Sequence, residues 1–502
     1  MTKRGAKRDA GKQAAELVAR FRAGYASDEM TIGEAEEIFD RLYDLIDEAL
    51  PHLFKLLESP EEDERRAAIE LLRELEDPRA VPPLRRLLAD TDLDDNDKIA
   101  IIATLGELGS PVDEATLYRA VSDPEKLVRD AMNQVLEVVG EPDHAESFLE
   151  IILQGTPEMQ AAYVGDFLGS LQDRRLLLLL TALLHGEDDG VVLAAVDGIE
   201  ALKEPGTIPL LEERGRYDPS VLVRHAAGNA ALRLQARIGD RPVQPWAMPS
   251  PLPLAHCWLS NIDGDGGQVL FVVRRQPDGD LWMLDLMFND HQGIKDCFSA
   301  LTSEDELQEM MYTFDPVDFV DVSLAHAREE VDRAYQVTLA AGRRLPPPVM
   351  LWQSWLEGED QRQLDEFILP SLEPSQREEL LAECEQLFGL GEFESWFFNP
   401  DEVADFLPRY QKLDRKNQAE FGEPTYEALL DEAVEAVVDE ARRRLLSDRL
   451  RRQAWLLAQL YEEEYVPLWA LAAADALDEG LLAKHPLLRE MMDYSLLNAA
   501  DM

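Results

Sequence analysis

The 502-residue chain contains only three cysteines, Cys257, Cys297 and Cys384. They are an odd number, far apart and without a CxxC pair, so they supply no disulfide framework and suit a reducing compartment. Aromatic residues make up only 7% of the chain. Basic residues number 49 against 100 acidic ones, a net charge of −51. A surface of that sign repels phosphate backbones and anionic lipid, which argues against nucleic-acid or membrane binding by the body of the protein. Long apolar runs are missing too. The longest, LLLLLTALL from Leu176 to Leu184, is far too short to span a bilayer. No apolar signal core opens the chain. No GxxxxGK[ST] or Rossmann glycine pattern occurs, so a nucleotide cofactor is not expected. The expectation is a soluble cytoplasmic protein.

What is present is material for a core. Apolar residues make up 46%, and cores rarely grow past ~250 residues before splitting, so the chain is long enough for about three domains. In the first half a pattern recurs. A Pro or Asp breaker (Pro60, Asp92, Pro124, Pro157, Asp189, Pro219) is followed seven residues later by an apolar position, at Ala67, Ile99, Ala131, Val164, Val196 and Ala226. Second breakers follow at Pro78, Pro111, Pro142, Arg174 and Pro205. Each unit therefore holds two helices, such as EDERRAAIELLREL and RAVPPLRRLLAD. Neither helix covers its own apolar face, so successive pairs must stack. The segments SDPEKLVRDA and YDPSVLVRHA resemble the short HEAT-like repeats of bacteria, with a weaker form in SPEEDERRA. The resemblance covers roughly Asp40 to Gly239 and implies an α-solenoid with an extended surface for other proteins.

After Gly239 the texture changes. RPVQPWAMPSPLPL, with five prolines, reads as an extended linker. Three strand-like runs follow, LAHCWLSNI, QVLFVVRRQ and DLWMLDLMF, separated by the turns DGDGG and PDGD. They imply a small antiparallel meander, succeeded by helices in SEDELQEMMYTF and SLAHAREEVDRAYQVTLAAG. Asn261, Asp263, Asp265 and Gly266 fall on EF-hand loop positions, but position 12 is Val272 and strands flank the loop, so a turn is the better reading.

The next stretch, HQGIKDCF, is expected to carry the third strand over into a helix. His291, Lys295, Asp296 and Cys297 lie there within seven residues and are the candidates for catalysis, since a thiol nucleophile needs a nearby base. No orienting third residue accompanies them. Cys297 beside Phe298 reads equally as a buried small hydrophobe, and Asp296 as a capping residue. The metal candidates are His256, Cys257, His291 and Cys297, with His326, although their spacing fits no zinc pattern. The segment resembles a bacterial domain of uncharacterised function that carries CLGVKDCF or CLGVKDAF after a strand. The match rests on Gly293, Ile294, Lys295, Asp296 and Phe298 and covers about Leu252 to Trp355. Where that domain has Cys-Leu this chain has His291-Gln292, and no SEC-C cysteine cluster is present. The resemblance therefore implies a fold and no metal or thiol chemistry.

The last third reads as helices, with Asn399 as a cap before Pro400 and one long segment from Pro424 to Leu446. Two basic clusters stand out. Arg442, Arg443, Arg444, Arg449, Arg451 and Arg452 follow Asp431, Glu432, Glu435, Asp439 and Glu440, and are expected to pair with them along the helix. Lys3, Arg4, Lys7, Arg8 and Lys12 are the candidates for contact with nucleic acid or an acidic protein face.

The expected architecture is mainly α. Residues 1–30 form a basic N-terminal arm, 31–240 HEAT-like helical repeats, 241–254 a Pro-rich linker, 255–350 a small α+β domain and 351–502 a helical C-terminal region. The expected function is a non-enzymatic protein–protein interaction scaffold or adaptor without a cofactor. The alternatives are an enzyme or metal-dependent protein centred on the α+β domain, and a nucleic-acid-associated protein using the N-terminal arm.

Overall fold

The computed structural model describes residues 3–27, 32–89, 93–113, 139–171, 173–239, 251–313, 319–362, 371–414, 424–482 and 484–501, with a few single positions between them. The protein is mainly α-helical and carries one five-stranded antiparallel meander. It divides into two compact units, Met1–Val135 and Leu136–Met502. No helix among the described residues is long and apolar enough to cross a membrane.

The first unit contains the helices Lys3–Ser27, Ile32–Tyr43, Ile46–Leu57, Glu62–Glu74, Val81–Leu88 and Asp95–Glu107. The basic N-terminal stretch is thus the start of a helix. Its Ala14, Leu17, Val18 and Phe21, one face at i, i+3, i+4 and i+7, are buried in the same core as Ile38, Leu50, Leu53 and Leu71. Each later helix buries its apolar stripe against neighbours close in sequence: Ile46–Leu57 on Glu62–Glu74, and Glu62–Glu74 on Asp95–Glu107.

The breakers do what their chemistry dictates. Pro78, Arg174 and Pro205 each open a 3-10 turn that leads into the second helix of its pair, and Pro142 opens a helix directly. Asp77 accepts from the Arg79 N–H at 2.8 Å while the Arg79 Nε returns to the same oxygen at 2.8 Å. Asp173 and Arg175 repeat this device at 2.9 and 3.0 Å. Of the expected buried positions, Ala67, Val164 and Val196 are fully buried. Ile99 and Ala226 are only half-buried, and Ile101 and Ala227 take the deep places instead, a shift in helical phase of one or two residues. Asp92, Pro124 and Ala131 lie outside the described residues.

Polar ties join positions about one repeat apart. Arg65 reaches Asp97 at 2.7 Å and also donates to the carbonyls of Ser59 and Pro60. Ser220 donates to Asp189 at 2.5 Å, and Arg233 pairs with Glu200.

The second unit begins with the helices Pro142–Leu153, Pro157–Ala162, Leu177–Leu183, Asp189–Leu202, Ile208–Tyr217 and Val221–Ile238. The sheet follows, with β1 (Leu254–Ser260), β2 (Gly267–Arg275), β3 (Leu281–Asn289), β4 (Gly293–Thr302) and β5 (Phe319–Asp321) in the order β4-β3-β2-β1-β5. The expected strands are β1 to β3. The expected hand-over to a helix at HQGIKDCF is corrected: this stretch is the tip of a hairpin and a fourth strand. Gly293, at φ +80, makes the reversal, and a Cβ there would collide with Thr338. Pairing of Met287 with Asp296 and of Phe288 with Ile294 leaves Lys295 as the extra residue of a bulge.

The helices Leu324–Ala340 and Pro347–Trp352 lie on β4, and Leu177–Leu183 packs in turn on Pro347–Trp352, so the sheet is mounted on the repeats of its own unit. The remaining helices, including Pro424–Val437, Glu440–Leu460, Tyr465–Asp478 and Pro486–Asp501, enclose a core around Phe393, Trp396, Leu430, Ala472 and Met492. The helix expected to run from Pro424 to Leu446 is broken before Asp439. That carboxylate caps the next helix, accepting from the Arg442 N–H at 2.8 Å.

Candidate functional site

The residues singled out for chemistry do not converge. Cys297 is buried on β4, and burial, reinforced by the charges of Glu146, Asp285 and Asp296, pushes its thiol well above the ordinary range. His291 is turned elsewhere. Its Nδ1 lies 3.5 Å from Asp290 and its Nε2 3.2 Å from the Gln292 amide. Lys295 and Asp296 are exposed, and Asp296 accepts from the Cys297 N–H at 2.9 Å rather than capping a helix. His256 and Cys257 are consecutive on β1 and so point to opposite faces. The His256 ring stacks on Trp258, with centroids 4.5 Å apart, whereas the Cys257 thiol is pushed up to about 12 by burial. His326 stacks on Trp455 at 3.9 Å. Among the described residues, the one group of three His, Cys, Asp or Glu ligand atoms within 4.8 Å of one another is Glu62, Asp94 and Asp97. Arg65 and Arg66 already pair with it.

The stretches that sequence reasoning set aside as turns build a larger feature. In the DGDGG turn, the Asp263 N–H donates to the Gly267 carbonyl at 3.0 Å, and Asp263 Oδ1 accepts from the Gly267 N–H at 2.6 Å. The Asn289 side-chain amide donates to the Asp265 carbonyl at 2.9 Å, linking this turn to the β3–β4 turn. The C-terminal helices then grip both. Gln453 accepts from the Ile262 N–H at 2.9 Å, the Trp396 indole donates to the Ile262 carbonyl at 3.0 Å, and the Gly264 N–H donates to Ser395 Oγ at 2.9 Å. Arg449 forks the Asp290 carboxylate at 2.7 and 2.9 Å and donates to the Gly264 carbonyl. Arg452 reaches Gln268 and Glu330. Gly264 and Gly266 permit this approach, since a Cβ at either would collide with Ser395 or with Asp290.

Between these turns and the C-terminal helices lies a cleft of about 1190 Å³. Asp263, Asp265, Phe397, Asp439, Arg442 and Leu445 are among the residues that line it. Its size exceeds the ~300–1,000 Å³ of most small-molecule sites.

The second basic cluster is therefore mostly internal. Arg444 alone pairs along its own helix with one of the acids that precede it, Glu440. Arg442 goes to Glu402, Arg451 to Asp475 and Asp478, Arg443 to the Leu477 carbonyl, and Arg449 and Arg452 to the sheet region. In the N-terminal helix Lys12 lies 3.4 Å from Glu16. The side chains of Lys3, Arg4, Lys7 and Arg8 lie outside the described residues.

One further residue escaped the sequence reading. Arg344, after the helix Leu324–Ala340, forks Asp218 at 2.9 and 2.9 Å, reaches Asp189 at 2.6 Å and donates to the carbonyls of Gly186 and Glu187. Nothing local marks it among the other arginines of the chain, because its partners lie more than a hundred residues away.

Residues 50–137 match the family model for HEAT repeats. The matched stretch includes the stacked helices Glu62–Glu74, Val81–Leu88 and Asp95–Glu107, which supports a HEAT-like repeat character for this part of the chain. No curated protein matches the chain.

Proposed function

We propose that the protein is a non-enzymatic interaction scaffold or adaptor whose helical repeats hold a protein partner. The observation that carries this reading is the match of residues 50–137 to HEAT repeats on helices that stack as repeats do, an arrangement whose faces serve other proteins as binding surfaces. Support comes from the helix Val221–Ile238, which leaves Leu222 and Leu232 67% and 69% exposed. The end of a repeat array ordinarily turns a polar face outward. The test is capture of partners by the full-length protein, quantified against Leu222→Asp and Leu232→Asp and against surface substitutions in the Glu62–Glu74 helix. At least one partner should fall ~10-fold with one of these variants while circular dichroism is unchanged. Capture indifferent to every repeat substitution would remove the reading.

A non-enzymatic role also fits the thiols, since all three cysteines are buried. In native protein at pH 8 none should react with a disulfide thiol reagent, and all three should react after denaturation. Fast native labelling of Cys297 would instead restore the enzymatic alternative.

A further inference from the structure

Phe397 and Phe398 line the cleft between the sheet turns and the C-terminal helices, and beside them Trp396 and Phe398 repeat a single arrangement. Arg449 stands over the Trp396 ring, 5.6 Å from its centroid, and forks Asp290. Arg442 stands over the Phe398 ring at 4.9 Å and forks Glu402 at 2.5 and 3.0 Å. In each case a planar guanidinium is held by an aromatic face and a carboxylate together, the combination that suits arginine better than lysine. Trp396 and Phe398 are buried, whereas Phe397 points out. Phe397 is 41% exposed, lines the cleft, and has no guanidinium over it among the described residues.

Five carboxylates share the cleft with Phe397: Asp290 and Glu402 are taken by Arg449 and Arg442 at its wall, whereas Asp263, Asp265 and Asp439 form no ion pair among the described residues. Each is held in place by a hydrogen bond: Asp263 by the Gly267 N–H, Asp265 by the Asn289 amide and Asp439 by the Arg442 N–H. The charges are thus pre-positioned, and the last carboxyl end of the helix Leu324–Ala340, at Ala340 and Ala341, faces the same space with its negative dipole end. Leu445 and Val437 supply apolar wall for the methylene stem of a long side chain.

We propose that this cleft binds an arginine-bearing segment of a partner protein, its guanidinium stacked on Phe397 and forked by Asp265 or Asp439. The proposal deepens the scaffold reading and rests on it for the partner being a protein. It is tested with the full-length chain at ~150 mM salt, where long-range attraction is screened beyond ~8 Å. Labelled tetra-arginine and tetra-lysine peptides are titrated by fluorescence anisotropy. Tetra-arginine should bind at least ~5-fold more tightly than tetra-lysine. Phe397→Ala and Phe397→Leu should both abolish that preference, the second while keeping an apolar side chain. Asp265→Asn and Asp439→Asn, which keep their hydrogen-bond acceptors, should weaken tetra-arginine by ~5–10-fold. Equal affinity for the two peptides, or an arginine preference that survives both Phe397 variants, overturns the proposal. An arginine preference lost on those variants, together with partner capture indifferent to the repeats, leaves the cleft standing and removes the repeat-scaffold reading. Repeat-dependent capture without arginine preference does the reverse.

Discussion

The two units use the same polar device with different partners. In the first, Arg65 sits between its own turn, at the carbonyls of Ser59 and Pro60, and Asp97 about one repeat later. Near the end of the repeats in the second unit, Arg224 makes the same return to the carbonyls of Asp218 and Pro219. Here the arginine that fills the acidic place comes from outside the repeats: Arg344 occupies Asp218 and Asp189. A tie between repeats is therefore local and renewable, whereas the tie that closes the array is made once, across a long stretch of chain. Both acids are fully buried, and a buried charge that loses its partner is costly, but Asp97 keeps a second hydrogen-bonded arginine, Arg66 at 3.1 Å, whereas the second arginine at Asp218, Arg214, stands 3.8 Å away.

Arg344→Ala should have the largest effect, about 3–5 kcal/mol, since it removes both forked hydrogen bonds to Asp218 and leaves that buried carboxylate only the Ser220 N–H and Arg214 at 3.8 Å. All eight tryptophans lie in the second unit, so urea unfolding followed by tryptophan emission reports this loss without interference from the first. A shift under ~1 kcal/mol would erase the distinction drawn between the two ties. Gly293→Ala comes next, at about 2–3 kcal/mol, because it combines positive φ with a collision against Thr338. The same emission assay reads it.

Arg65→Ala should cost only about 1–2 kcal/mol, because Arg66 still pairs with Asp97 at 3.1 Å. Hydrogen exchange in the helix Glu62–Glu74 measures this, and a loss as large as that of Arg344→Ala would show the repeat tie to be no cheaper than the closing one. Arg233→Ala should leave exchange in its helix almost unchanged, because its guanidinium is exposed to water where it pairs with Glu200.

A separate effect is one of pH. Burial, with the Asp296 charge beside it, raises the Asp285 carboxyl to about 6, above the ~3.9 of an unfolded aspartate. The folded state therefore holds this proton more tightly, and the stability it contributes is full below about 4 and lost as pH rises through about 6. Asp285→Asn should flatten the emission-detected stability curve in that window. An unchanged slope would assign the titration to another group.

The helical hairpins were legible because each needs only local information. Pro78, Pro142 and Pro205 break helices wherever they stand, and a stripe such as Leu71, Leu72 and Leu75 announces a buried face. Strands β1 to β3 were legible from composition and turns. Strand β4 was not, because GIKDCFSALT alternates poorly and its bulge at Lys295 interrupts the period of two. The break at Asp439 was equally hidden inside an unbroken helical pattern. As for the cleft, the Asp263–Gly267 turn and the aromatic run at Trp396 are each visible, but nothing in either says that they meet.

Sequence alone determined the stacked repeats, the meander and the acidic surface, since periodicity, breakers and charge act within a few residues or on the molecule as a whole. The tertiary structure decided which arginines among many are buried, that Cys297 faces a core while Phe397 faces solvent, and that two turns and a distant helix enclose one cleft. Those outcomes depend on desolvation and on partners far apart in the chain, and neither leaves a local mark.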